Sequence, residues 1–298
     1  MIQSHPGEFA AILVAVFWTV TALSFESASN KVGSLPVNII RLVIGFIFLS
    51  LLNLAIRGRL FPSDASVHNW IWLSVSGLIG FVLGDLFLFK SYTIIGSWFA
   101  MLMMTLAPPL AAIFGWIILG ETMDIKAFSG MALTMSGIAM ALFSRDHENN
   151  KVTFRKPFIG ILFAFFGALG QALGIVFSKY GMQDYNPFPS TQIRIITGIA
   201  GFLLIVSISG RWTAVFSALR NTRGMIAITT GSFFGPFLGV SFSLMAVQHT
   251  SAGIASTIMA MVPILIIPPS VFLFHHKITL REIIGTMLSV GGVALFFI

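Results

Sequence analysis

Apolar runs of about twenty residues recur along this chain with almost no charge inside them, the length a helix needs to cross the hydrocarbon core of a bilayer. Ten can be marked: 8–27, 37–56, 70–92, 97–119, 125–143, 158–180, 189–209, 225–247, 252–274 and 280–298. Composition agrees. Of 298 residues 56% are hydrophobic and 9% charged, where a soluble domain carries roughly a quarter charged residues. The sequence predicts an all-α membrane protein. The first run follows "MIQSHPGEF", which has no basic n-region and no small-residue cleavage site, so it is expected to remain as a span.

Several function classes fall away early. The chain has no cysteine, which removes disulfide frameworks, Cys-ligated zinc and thiol catalysis. Its net charge of +7 comes from 17 basic residues scattered singly between apolar runs. Basic loops beside lipid account for that better than a nucleic-acid face. HExxH, GxSxG and a phosphate-cradling glycine loop followed by Lys are all missing, so neither a catalytic site nor a cofactor is expected. His249, His275 and His276 sit at span ends and do not make a metal site. The expected partners are a small-molecule substrate and the lipid bilayer.

The chain is internally repetitive. A shift of 155 lays Gly80–Phe143 on Gly235–Ile298 without a gap, with 12 of 64 positions identical; about six would match by chance in so biased a composition. The matches fall on Gly80 and Gly84 with Gly235 and Gly239, Pro108 with Pro263, and Gly130 and Gly137 with Gly285 and Gly292. A shift of 153 pairs Arg41 with Arg194 and Gly45 with Gly198. Residues 1–143 therefore read as a first five-helix repeat, 144–157 as a polar linker loop and 158–298 as a second repeat. Five is odd, so the second repeat enters the membrane inverted. That plan recurs in secondary transporters, with the substrate site near the midplane at the repeat interface.

Charge inside the oil marks the candidate site. "GDLFLFK" places Asp85 and Lys90 within the third run. They are five residues apart, about 140° around a helix, and do not form an i,i+4 pair. Lys90 is close enough to the interface to snorkel, whereas Asp85 lies deeper. It either pairs with Arg41 or takes part in binding or proton coupling. In the second half Val240 and Met245 replace Asp85 and Lys90, yet Arg194 remains. Arg194 binds carbonyls or lipid phosphate on one reading, and an anionic substrate group on the other.

Span four presents Trp98, Met101, Leu102 and Thr105 on one face, and the matching face of span nine is Gly253, Ser256, Thr257 and Ala260. The pair reads either as ordinary packing or as the walls of a pocket for an amphipathic metabolite. Trp18 and Thr21 in span one and Gln171 in span six complete the candidate cavity; Gln171 aligns with Ala22 under a shift of 149. Gly80-x-x-x-Gly84 and Gly235-x-x-x-Gly239 are close-packing signatures, and spans three and eight are expected to meet through Gly84 and Gly239. Prolines at 108, 109, 263, 268 and 269 are expected to bend spans four and nine.

With "LAPPLAAIFGWIILGE" closing span four at Gly120-Glu121, "ITLREIIGTMLSVGGVALFF" closing the chain, and "GDLFLFKSYTIIG" in span three, the sequence resembles the EamA-like branch of the drug/metabolite transporter superfamily. The chain departs from that pattern at His275-His276, where the second repeat often carries Gly-Glu again. The resemblance implies a bundle around a central cavity lined by spans one, three, four, six, eight and nine. It also implies cytoplasmic termini. Counting loop Lys and Arg, four on the face of the termini against ten opposite, implies the reverse. The expected function is a secondary carrier, not an enzyme, moving a small organic metabolite such as an amino acid outward by alternating access. Its expected place is the bacterial cytoplasmic (inner) membrane. The alternatives are an intramembrane lipid-modifying enzyme using Asp85 and a histidine, or a helix-packing subunit of a membrane assembly.

Overall fold

The computed structural model describes residues 6–120, 125–145, 152–154, 156–249, 258–274 and 279–297. In chain order they form α1 (Pro6–Val32), α2 (Ser34–Arg57), α3 (Val67–Ile95), α4 (Ser97–Leu119) and α5 (Ile125–Leu142). A short antiparallel pair follows, β1 (Phe143–Arg145) with β2 (Val152–Phe154), within the segment read as a linker loop. Then come α6 (Phe158–Met182), α7 (Pro187–Ile208), α8 (Trp212–Arg220), α9 (222–249), α10 (Val262–Leu265), α11 (Ile267–Phe274) and α12 (Leu280–Phe297). Among the described residues, seven helices are long and apolar enough to cross a membrane: α1 to α4, α6, α7 and α9. Large apolar side chains such as Ile12, Leu51, Trp116 and Leu204 stand exposed on their outer faces, as lipid-facing surfaces require. The protein is an integral membrane protein whose described residues are helical apart from this small strand pair.

Local chemistry sets the helix ends. Ser66 caps α3 reciprocally with Asn69, the Asn69 N–H donating to Ser66 Oγ at 3.1 Å and the Ser66 N–H to Asn69 Oδ1 at 2.9 Å. Gly58 and Gly120 end α2 and α4 in the left-handed conformation, at φ 66° and 68°. The proline effect is milder in span four than in span nine. Met104–Leu106 tighten into a 3-10 turn, and Pro108 and Pro109 then open a fresh helical segment whose first turn tolerates them. Pro263 and the Pro268-Pro269 pair divide span nine into α10 and α11.

Two further features recur at the repeat spacing. Both α3 and α9 widen into a π-helical turn, at Leu78–Gly84 and at Phe233–Gly239, which are 155 residues apart. Contacts are also reciprocal. The Thr134 hydroxyl donates to the Ser289 carbonyl at 3.3 Å and the Ser289 hydroxyl to the Thr134 carbonyl at 3.4 Å. Gly45 of α2 abuts Ile195 of α7 and Pro236 of α9, whereas Gly198 of α7 abuts Leu42 of α2 and Phe81 of α3. Each residue in the first set matches one in the second under the shifts of 153 and 155.

The glycine signatures are used, but not as expected. Gly80 and Gly84 of α3 pack on α6, and Gly235 and Gly239 of α9 on α1. A Cβ on Gly170 would lie 2.5 Å from Gly84 Cα, and one on Gly174 would lie 3.0 Å from Gly80 Cα. The Ser76 hydroxyl bonds the Gly174 carbonyl at 2.6 Å in the same seam. On the other side the partners are large: Gly235 faces Thr21, and Gly239 faces the Trp18 indole. The reason is complementarity. Two glycine rows facing each other let backbones touch, whereas a glycine row facing Trp18 and Thr21 holds its neighbour a side chain away.

Candidate functional site

One cavity of about 140 Å³ opens inside the bundle, walled by residues from both sequence halves. Arg41, Phe81, Asp85, Phe89 and Tyr92 enter from α2 and α3; Gln171, Arg194 and Val240 enter from α6, α7 and α9. Phe81, Asp85, Leu88, Phe89 and Tyr92 fall at i, i+4, i+7, i+8 and i+11, so they form one inward stripe of α3. The π-helical turn ends just before Asp85 and sets where that stripe points; such turns often mark functional positions.

Asp85 is saturated. Arg41 Nη2 donates to its Oδ2 at 2.5 Å, and Gln171 Nε2 to its Oδ1 at 2.7 Å. Arg41 is held in turn by Asn38, whose Oδ1 accepts from Nε at 3.3 Å. The guanidinium also lies 4.7 Å from the Phe89 ring centroid and 5.6 Å from those of Phe25 and Phe81. Of the two readings left open for Asp85, the ion pair is the one formed. Burial on this scale makes the pair costly to assemble and costlier to break.

Arg194 differs. It is 3% exposed, and its Nε is buried with no hydrogen-bond partner. Among the described residues no side chain or carbonyl accepts from the guanidinium, and no carboxylate forms an ion pair with it. Its neighbours are the Phe81 ring, 4.8 Å from Cζ to the centroid, and Gly80, where a Cβ would lie 3.1 Å from Nη2. Gly80 therefore does two things: it packs on Gly174 and makes room for the Arg194 head.

The other sequence candidates distribute as follows. Trp18, Thr21, Met101 and Thr105 line the cavity. Thr21 spends its hydroxyl proton on the Phe17 carbonyl at 2.7 Å, whereas the Thr105 hydroxyl lies 2.7 Å from the Leu102 carbonyl and 2.8 Å from Ser289 Oγ and donates to one of them. Trp98 is buried on the same face of α4 but stands outside the lining: the cavity ends at Met101, one turn beyond it. Ser256 and Thr257 lie outside the described residues, as do Glu121, His275 and His276. Lys90 is exposed. Glu26 is buried and accepts from the Ser97 hydroxyl at 2.5 Å.

Tyr92 was missed by reading the sequence for charge. Its hydroxyl points at Met101 Sδ, 3.5 Å away, and its spacing of seven from Asp85 was the available signal. Spans two and seven were missing from the lining implied by the resemblance, and they reach the cavity through Arg41 and Arg194.

A lipid-facing helical bundle that encloses a charged, aromatic-walled cavity defines an integral membrane protein built around an internal binding space. The chain belongs to the EamA-like transporter family, whose sequence pattern matches residues 5–143 and again 158–298. That family is a branch of the drug/metabolite transporter superfamily. The chain is 28% identical over 191 residues to the uncharacterized transporter YvbV of Bacillus subtilis; the match takes in 63% of this chain and 59% of that protein. It is 21% identical over 288 residues to an uncharacterized transporter of Clostridium kluyveri, covering 96% of this chain and 91% of the relative. A solved crystal structure superposes over 97% of this chain and 96% of its own with a TM-score of 0.61 and 17% identity, a likeness of fold alone.

Proposed function

We propose that this membrane transporter is a secondary carrier that moves a small organic metabolite, such as an amino acid or related amphipathic compound, by alternating access. One observation carries the reading: Asp85 with Arg41 from the first half, and Gln171 with Arg194 from the second, converge on a single cavity. Substrate sites of inverted-repeat carriers lie at such an interface. In this reading ten spans form two inverted five-helix repeats, 1–143 and 158–298, joined by 144–157, around that cavity. The reciprocal contacts of Thr134 with Ser289, and of Gly45 and Gly198 with each other's matched neighbours, support it. A residue touches its own counterpart only where a twofold axis passes between them.

The chain carries no phosphate-cradling glycine loop, so flux follows a gradient of ions or of the substrate itself. A metabolite accumulating inside the cell then leaves, and export is the net direction. The partners are that metabolite and the bilayer, with no nucleic acid, and the setting is the bacterial cytoplasmic membrane. An enzyme reading is disfavoured because Asp85 has both oxygens engaged and no histidine is among the described residues lining the cavity. Purified protein in liposomes, screened with radiolabelled metabolite mixtures, tests the proposal. Gradient-dependent flux of unchanged compound is expected. Chemical conversion, or flux no greater than in protein-free liposomes, would overturn it.

A further inference from the structure

Arg194 and Arg41 occupy matched positions in the two halves, yet their surroundings differ by one acid. Arg41 has Asp85 on its Nη2 at 2.5 Å. The residue matched to Asp85 is Val240, which lines the cavity. Arg194 is thus left with a buried Nε–H that has no acceptor, and no carboxylate forms an ion pair with its guanidinium among the described residues. The Phe81 ring at 4.8 Å offsets only part of the cost of burying that charge. Asp85 gives its two oxygens to Arg41 and Gln171 and makes neither a hydrogen bond nor an ion pair with Arg194. Among the described lining residues, two arginines face one carboxylate, and the cavity carries one excess positive charge.

The walls indicate what would balance it. Trp18, Phe25, Phe89, Tyr92, Met101 and Met104 present apolar and aromatic surface. The volume of about 140 Å³ is close to the roughly 150 Å³ that admits a benzene ring. A guanidinium presents a planar fork that matches a carboxylate, and at the matched position Arg41 already holds the Asp85 carboxylate through one nitrogen, Nη2 on Oδ2 at 2.5 Å. Resting on the carrier reading above, we propose that Arg194 is the carboxylate anchor of the transported substrate. The substrate class is a compact monocarboxylate, anionic or zwitterionic, whose apolar body sits against the aromatic wall. Its carboxylate completes for Arg194 what Asp85 completes for Arg41.

Benzoate and benzamide share shape and differ in the anchored group, so they make the probe pair. Equilibrium dialysis with protein in nanodiscs is expected to show benzoate bound at least tenfold more tightly than benzamide. Arg194→Gln is expected to erase that preference, and Arg194→Lys to weaken it. Val240→Asp supplies Arg194 with an internal acid and is expected to lower benzoate affinity at least tenfold; it also serves if Arg194→Gln does not fold. Equal binding of the two probes, no binding of benzoate, or displacement of benzoate by inorganic phosphate at equal potency would overturn the anchor. Selective benzoate binding without any carboxylate counterflow in liposomes would fault the carrier reading and leave the anchor standing. Counterflow of neutral metabolites with no benzoate preference would do the reverse.

Discussion

Arg41 Nη2 and Asp85 Oδ2 meet at 2.5 Å inside the bundle, with side chains only 4% and 7% exposed. Breaking one partner leaves a buried charge uncompensated, which costs about 3–5 kcal/mol when the site is dry. Asp85→Asn is expected to lose stability on that scale, measured by thermal or denaturant unfolding in detergent. The double change Arg41→Met with Asp85→Asn should recover much of it. An Asp85→Asn variant as stable as the parent would show that the Arg41 charge is already solvated by water.

Close backbone contact between α3 and α6 gives a second expectation. A Cβ at Gly170 has only 2.5 Å to Gly84 Cα, and neither backbone can give way. Gly170→Ala should destabilise by about 1–3 kcal/mol as overpacking. Gly291 is the control: nothing lies within 4 Å of a Cβ there, so Gly291→Ala should gain about 0.5–1 kcal/mol from backbone entropy. Equal responses at the two sites would contradict the helix pairing.

The absence of cysteine allows a clean topology test. Ser63 lies in the loop between α2 and α3, and Ser217 on α8, after the seventh predicted span. Both are exposed. An impermeant thiol reagent should label Ser63→Cys and Ser217→Cys from opposite faces of the membrane. It also decides between the orientations implied by loop charge and by family resemblance. Labelling from the same face would contradict five spans per repeat.

Outside the membrane spans, Asp64 accepts from the Tyr185 hydroxyl at 2.9 Å and pairs with Arg57. Slight burial pushes its carboxyl up, but Tyr185, its own backbone N–H and the Arg57 guanidinium outweigh that and hold it below the usual range. A depressed carboxyl stabilises the fold above its unfolded value, near pH 4, and the contribution is lost as pH falls through the lower folded value. The unfolding midpoint should therefore drop less between pH 5 and pH 3 in Asp64→Asn than in the parent protein. Identical pH profiles would show that the loop contact adds nothing.

Much of this was readable beforehand because membrane spans follow from length and hydropathy, and a buried acid demands a partner. Arg41 beside Asp85 followed from that demand. The contrast between Asp85 and Val240 likewise singled out Arg194. The glycine partners were not readable: Gly84 carries no mark distinguishing α6 from α9 as its neighbour, and only the facing row at Gly170 and Gly174 decides it. The π-helical turns, the β1–β2 pair and amphipathic α8 were also missed. Each is short and depends on tertiary packing or on the membrane surface more than on local apolar length. Trp98 was placed on the correct face but one turn beyond the cavity's end, a boundary that no periodicity encodes.

Counterflow tests the central claim most directly, that this cavity carries a substrate across the membrane. Liposomes holding the protein are preloaded with an unlabelled mixture of small amino acids and monocarboxylates, then diluted into trace radiolabelled counterparts. The carrier account predicts transient accumulation of chemically unchanged label, diminished in Arg194→Gln for the carboxylates. Label no higher than in protein-free liposomes, or label recovered as a new compound, would contradict it.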